Sequence, residues 1–235
     1  MNELPIQYHE LETIYSNSIG RGYRSIAITS SDIKEGVTTL ASAIARRSEA
    51  GGHKTLIVDL NLRHSSQGHE HGLKPTSWNI EDDHIVTKAI KLSNENISVI
   101  PSPSLDQNLL KIRERRLIEN SIKRWKEHYD VIILDTSPLN AINRNNIPAE
   151  LICASCDATI FVVMAGKTLE KNVKQSYTRL SNAKANLLGT VINDQHNPNL
   201  VDELIRETYR LQRVMPNVMN ALRRKLRKSE IINQR

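Results

Sequence analysis

Short apolar runs bounded by turn residues recur along the chain, at Ile26–Thr29, Thr55–Val58, Ile97–Ile100, Val131–Leu134, Thr159–Val163 and Leu187–Ile192. Each is four to six residues long and nearly continuous in Val, Ile and Leu, with no apolar–polar alternation. That is the pattern of strands covered on both faces, as in a parallel sheet. Between most of them lie stretches with apolar residues at three- and four-residue steps, Thr38–Ala50, Leu109–His128 and Leu169–Ala183, which predict helices. Strands and helices in alternation predict a doubly wound α/β domain with a mostly parallel sheet, whose ligands sit outside the carboxyl ends of the strands. Residues 1–24 read as an extension with one short helix around His9–Ser16, broken at Gly20 and Gly22 before the first strand. The domain itself is expected over residues 25–200, and residues 201–235 form a helical tail.

The strand ends therefore draw attention. The first run leads into TSSDIKEGVTT, residues 29–39, and then into a helix. A strand, a tight loop and a helix N-terminus outline a phosphate cradle of the P-loop type, in which backbone N–H groups of Glu35, Gly36, Val37, Thr38 and Thr39 would face an anion. In G-x-x-x-x-G-K-[ST] the Lys reaches the outer phosphates and the next hydroxyl holds magnesium; here Thr38 retains the hydroxyl, Val37 stands in the Lys position and Ser31 in that of the first Gly. The second run ends in Asp59 and the fourth in Asp135, and two strand-end acids beside such a loop suit a magnesium ion or its water shell. The alternative for each acid is a cap on the turn that follows.

Together these segments resemble the bacterial tyrosine kinase (BY-kinase) family and the cytoplasmic ATPase-like partners of polysaccharide co-polymerases, relatives of the MinD and ParA deviant-Walker ATPases. TSSDIKEGVTT is similar to the family's TSS-x-PGEGKTT loop, TLIVDLNLRHS to its Walker A′ strand, and VIILDTSP to its Walker B strand, all in family order. The resemblance covers roughly residues 8–200 and implies a P-loop NTPase-like fold, ATP or ADP with magnesium, Asn193 near the base and Arg63 in the Walker A′ segment. Thr38, Asp59 and Asp135 would be the magnesium residues.

The departures fall on the chemistry. Lys34 replaces a loop Gly, Val37 the phosphate-binding Lys and Asn61 the second Walker A′ Asp. Losing one preorganised donor costs about 10²- to 10³-fold in phosphoryl-transfer rate. The family's C-terminal tyrosine cluster is missing, since tyrosines stand at 8, 15, 23, 129, 177 and 209 and none follows. Its ring-forming E-x-x-R-x-x-R is matched only by Glu10, Thr13 and Ser16. The resemblance thus implies a catalytically degenerate, pseudokinase-like member acting in exopolysaccharide synthesis or export, which binds the cytoplasmic segments of a membrane co-polymerase, forms homo-oligomers and takes up nucleotide or none. Two other readings stay open: a working tyrosine kinase or ATPase using Lys34, Asp59 and Asp135, and a ParA- or MinD-like positioning protein on membrane or nucleoid.

Charge and composition refine this picture. The net charge is +6, and from Asp202 to Arg235 nine basic side chains stand against four acids. Around Pro216, apolar residues at Val218, Met219, Leu222 and Leu226 alternate with Arg223, Arg224, Arg227 and Lys228, so residues 216–228 fit an anionic membrane surface or a helix packed on its own domain. No recognition motif supports a nucleic-acid partner, and aromatics at 4% leave little for base stacking. No stretch approaches a membrane span and the first residues lack a leader pattern, which predicts a cytoplasmic protein peripheral to the inner membrane. Cys153 and Cys156 form a C-x-x-C without a second ligand pair, and are read as small residues in a packed helix; His64, His69 and His71 are read as a solvated loop. The segment Ala165–Thr168 imitates a P-loop end but lacks the upstream Gly, so it reads as a strand-to-helix turn with Thr168 as N-cap.

Overall fold

The computed structural model describes residues 7–62, 78–82, 89–92, 96–103, 109–141 and 146–195. Arg63, the three histidines and the basic tail lie outside them, as do the expectations placed there. The chain divides into a compact unit, Met1–Asn193, and a second one, Asp194–Arg235. Among the described residues, the first unit holds seven strands: β1 (Ser25–Ser30), β2 (Thr55–Asp59), β3 (Ile90–Lys91), β4 (Ile97–Ile100), β5 (Val131–Asp135), β6 (Ala158–Met164) and β7 (Leu187–Asn193). They lie in the order β3-β4-β2-β5-β1-β6-β7. All neighbours are parallel except the two-residue β3, which runs antiparallel to β4. The six longer strands are the six apolar runs; β3 is a two-residue segment, IK, too short to carry a periodic signal.

Each central strand feeds two cores, because successive side chains point to opposite faces. Ile26, Ile28, Ile57 and Ile133 join one apolar cluster, in which helix α2 (Val37–Ala50) supplies Leu40, Ala41 and Ile44. Ala27, Leu56, Val58, Ile132 and Leu134 join the other, closed by Ile118, Ile122 and Trp125. These last three come from α4 (Arg115–Trp125). α5 (Ala149–Ser155) and α6 (Glu170–Asn182) complete this face with Ile152 and Leu180. α1 (His9–Asn17) packs on the α2 side through Leu11. There Arg47 donates to both carboxylate oxygens of Glu12, at 2.6 and 2.9 Å, and stacks over the Tyr15 ring.

Two boundaries differ from the periodicity. The helix expected over 109–128 is divided into α3 (Leu109–Ile112) and α4, because Arg113 and Glu114 form a turn in which their N–H groups donate to Leu110 and Lys111 and Glu114 adopts extended backbone. Thr168 is not the N-cap of α6: Leu169 holds that position, and the Thr168 hydroxyl is used elsewhere. Cys153 and Cys156 are buried at the end of α5 as free thiols, and burial pushes Cys153 up to about 12, out of reach of thiolate chemistry. Among the described residues no helix is long and apolar enough to cross a membrane.

Candidate phosphate-loop site

The loop between β1 and α2 occupies the middle of the sheet's carboxyl edge, since β1 lies between β5 and β6. Ile28 is level with Asp135, and Asp135 is level with Asp59 on β2, so the two strand-end carboxylates stand side by side, both fully buried. Asp59 also accepts the Asn61 N–H at 2.9 Å. Two buried acids on adjacent strand ends fit a divalent cation that completes its shell with water or phosphate oxygens. Thr38, at the second position of α2, supplies a hydroxyl at the same edge.

Gly36 turns the chain into α2 with φ 98°, a left-handed conformation that favours glycine. A Cβ at this position would stand 2.6 Å from the Asn193 Nδ2, so the close approach of β7 demands glycine as well. Asn193 donates to the Glu35 carbonyl at 2.9 Å, which fastens the end of β7 to the loop. Asn193, which the family resemblance places near a nucleotide base, thus also touches the loop itself.

Val37 is 8% exposed and belongs to the apolar cluster of α2 and β1. The position of the usual lysine is thus taken by a core side chain that offers a phosphate neither charge nor hydrogen bond. Lys34 is exposed on the loop with φ 62°, a conformation costly for a residue with a Cβ. It is the loop's own cation, three residues before the vacated position.

Glu35 is where sequence reasoning went least far. Its side chain is 1% exposed and folds back over the loop: Oε2 accepts the N–H groups of Ser31 and Asp32 at 2.8 and 3.1 Å, and Oε1 accepts the hydroxyl of Thr168. Burial pushes its carboxyl up against the pull of these hydrogen bonds. Helix α6 continues the bracing. Asn172 donates to Asp32 at 2.8 Å, and Ser176 shares a hydroxyl contact of 3.1 Å with Ser31. Asn140 donates to both serines from the segment after β5, whose Leu139 and Asn140 N–H groups bond to Ser30 and Ser31. Thr168, just before α6, and Asn172 and Ser176 within it recur every four residues, and this spacing was the available signal for residues that motif matching passed over.

The profile of the AAA domain family (AAA_31) matches residues 24–188, more than half of the chain. Among curated relatives, the chain is 26% identical to the tyrosine-protein kinase CpsD of Streptococcus pneumoniae, over 74% of this chain and 77% of that one. It is also 26% identical to the tyrosine-protein kinase YwqD of Bacillus subtilis, over 80% and 79% of the two chains. Among solved structures, it resembles the chimerical protein CapA2B2 with a TM-score of 0.66 and 25% identity, covering 78% of this chain and 82% of that one. Cobyrinic acid a,c-diamide synthase of Mycobacterium smegmatis, solved with an ATP analogue and magnesium, shares the fold at a TM-score of 0.58 and 17% identity, with 72% of each chain covered.

Proposed function

The chain belongs to the AAA domain family of P-loop NTPase folds and is similar to bacterial tyrosine kinases, and we propose that it is a catalytically degenerate member that serves exopolysaccharide assembly or export by binding the cytoplasmic segment of a membrane co-polymerase. The observation that carries this reading is Val37, packed into the apolar core where phosphoryl transfer needs a cation. The rest of the cradle persists around it: Gly36 in its left-handed turn, Thr38 at the head of α2, and the level pair Asp59 and Asp135. A site of this kind is suited to hold ADP or ATP with magnesium as a structural ligand, with Thr38, Asp59 and Asp135 toward the metal and the N–H groups of Gly36 to Thr39 toward the phosphates. Bound metal would neutralise phosphate charge; the chain's own part is to position. The basic segment 216–228 would rest on the anionic face of the inner membrane, beside the co-polymerase and further copies of the chain. Incubation of the purified protein with magnesium and labelled ATP is expected to give no autophosphorylation, whereas robust label on tyrosine would overturn the proposal. Co-purification with the co-polymerase's cytoplasmic segment is the positive counterpart.

One observation favours a second reading. Lys34 is exposed on the loop despite the cost of φ 62°, and a strained residue that persists at a candidate site is a reason to test it for function. In a working kinase or ATPase it would replace the missing lysine beside Asp59 and Asp135. Calorimetry with magnesium and ATP or ADP decides between the two uses of the loop: no heat at millimolar nucleotide removes the enzyme, and turnover abolished by Lys34→Gly would establish it.

A further inference from the structure

We infer that the corner between β6 and α6 sets the shape of the phosphate loop, with Thr168 as a positioning residue that acts through Glu35. The inference rests on reading residues 31–39 as a phosphate cradle and names what holds that cradle in form. Glu35 runs from the end of the loop back to its beginning, so its carboxylate closes residues 31–35 into a ring through the Ser31 and Asp32 N–H groups. Its own carbonyl, one peptide before Gly36, is held by Asn193. The direction of the N–H groups that follow therefore depends on where Glu35 lies.

Thr168 determines that position. Its oxygen accepts the Met164 N–H at 3.2 Å, which leaves its single hydroxyl hydrogen for Glu35. The Thr168 hydroxyl is thus fixed at both ends, by β6 on one side and by the loop on the other. In a loop with a central lysine, that side chain and the phosphate it binds help to organise the backbone. Here Val37 turns into the core, and the shape rests on ties to the β6–α6 corner and to α6: Thr168 to Glu35, Asn172 to Asp32, and Ser176 to Ser31. Any displacement of the start of α6 is consequently a displacement of the cradle.

Valine is nearly isosteric with threonine and removes only the hydroxyl. Hydrogen exchange on the full chain, comparing wild type, Thr168→Val and Thr168→Ser, reads the loop without needing a ligand. Amides within residues 31–36 are expected to exchange roughly tenfold or more faster in T168V, in line with the loss of a bond to a charged acceptor, while β1 and β5 keep wild-type rates and T168S restores protection. Wild-type exchange of the loop in T168V would overturn the inference. So would an equal acceleration of loop, β1 and β5, because that marks a general loss of stability. Calorimetry with ADP and magnesium on the same proteins addresses the cradle reading separately: a wild-type chain that takes up none defeats the nucleotide part of the proposed function, and the exchange rates still decide the role of Thr168.

Discussion

Two carboxylates at opposite ends of the sheet receive the same backbone gift and respond in opposite ways. Asp157, before β6 at the amino edge, accepts the N–H groups of Arg24 and Ser25 at 3.0 and 2.9 Å; Glu35, at the carboxyl edge, accepts those of Ser31 and Asp32. Their third partners differ. Asp157 meets the Lys126 ammonium at 2.7 Å, whereas Glu35 meets the neutral hydroxyl of Thr168. Burial disfavours the charge of both, but for Asp157 the lysine and the two N–H groups outweigh burial and hold the carboxyl below its usual range. For Glu35 burial prevails and the carboxyl is pushed up. The amino edge is therefore built for stability, with charge answered by charge. The carboxyl edge keeps a charge at a cost, and that asymmetry is what a site looks like next to its scaffold.

The largest effect should come from the stable end. Asp157→Ala leaves the Arg24 and Ser25 N–H groups and Lys126 without their shared acceptor, and should cost about 2–3 kcal/mol in urea unfolding, given typical values for hydrogen bonds to charged groups. A loss under half a kilocalorie would erase the contrast between the two edges. Next comes Gly36→Ala at the site end. The added Cβ meets Asn193 Nδ2 at 2.6 Å in a left-handed turn, and the expected loss is about 2 kcal/mol. In this case the destabilisation should be accompanied by faster exchange of the loop amides, which Asp157→Ala should leave at their relative protection.

The pH dependence separates the two carboxylates by sign. A depressed Asp157 contributes stability that is present above its unfolded value, near 3.9, and lost as pH falls through the lower folded one. A raised Glu35 works in reverse: its contribution is most favourable below its unfolded value, near 4.3, and declines as pH rises through the higher folded one. Glu35→Gln should accordingly gain on wild type as pH rises from about 4 towards neutrality, by about 1.4 kcal/mol for each unit of difference in pKa. Asp157→Asn should lose on wild type as pH rises from about 2 to 4. Urea midpoints for the three proteins across these ranges measure both slopes, and slopes of the same sign would show that the two ends do not differ as described.

How much of this could be read in advance depended on whether neighbours in sequence or neighbours in space decide a feature. The six long strands and their two-faced burial were legible, because runs such as VIILD have no polar face to show. The P-loop outline and both strand-end acids were legible for the same reason: each is a short local pattern at a predictable edge. What Glu35 does was not, since its partners come from Thr168 and from the loop's own backbone, and a buried glutamate in a glycine-containing loop looks like any solvated one. Thr168 was assigned to capping because capping is the local use of a hydroxyl before a helix; its real partner lies 133 residues away.

Lys34 offers the smallest but most direct comparison, because among the described residues the two ends each hold one lysine at positive φ. Lys184, φ 60°, follows α6 directly after its C-cap Ala183, where a left-handed residue closes a helix and its N–H bonds to Ser181. Lys34, φ 62°, closes no helix and sits on the loop crown. Replacing either with glycine removes the left-handed penalty of about 1–2 kcal/mol and adds chain entropy worth about 0.5–1 kcal/mol to the unfolded state, for a net gain of about 0.5 kcal/mol. Equal rises in the urea midpoint for Lys34→Gly and Lys184→Gly would show that the backbone term alone acts at both positions. If the loop lysine serves a phosphate ligand, the two should part company when ADP and magnesium are present: Lys184→Gly keeps whatever ligand stabilisation the wild type has, and Lys34→Gly forfeits it while remaining the more stable apoprotein.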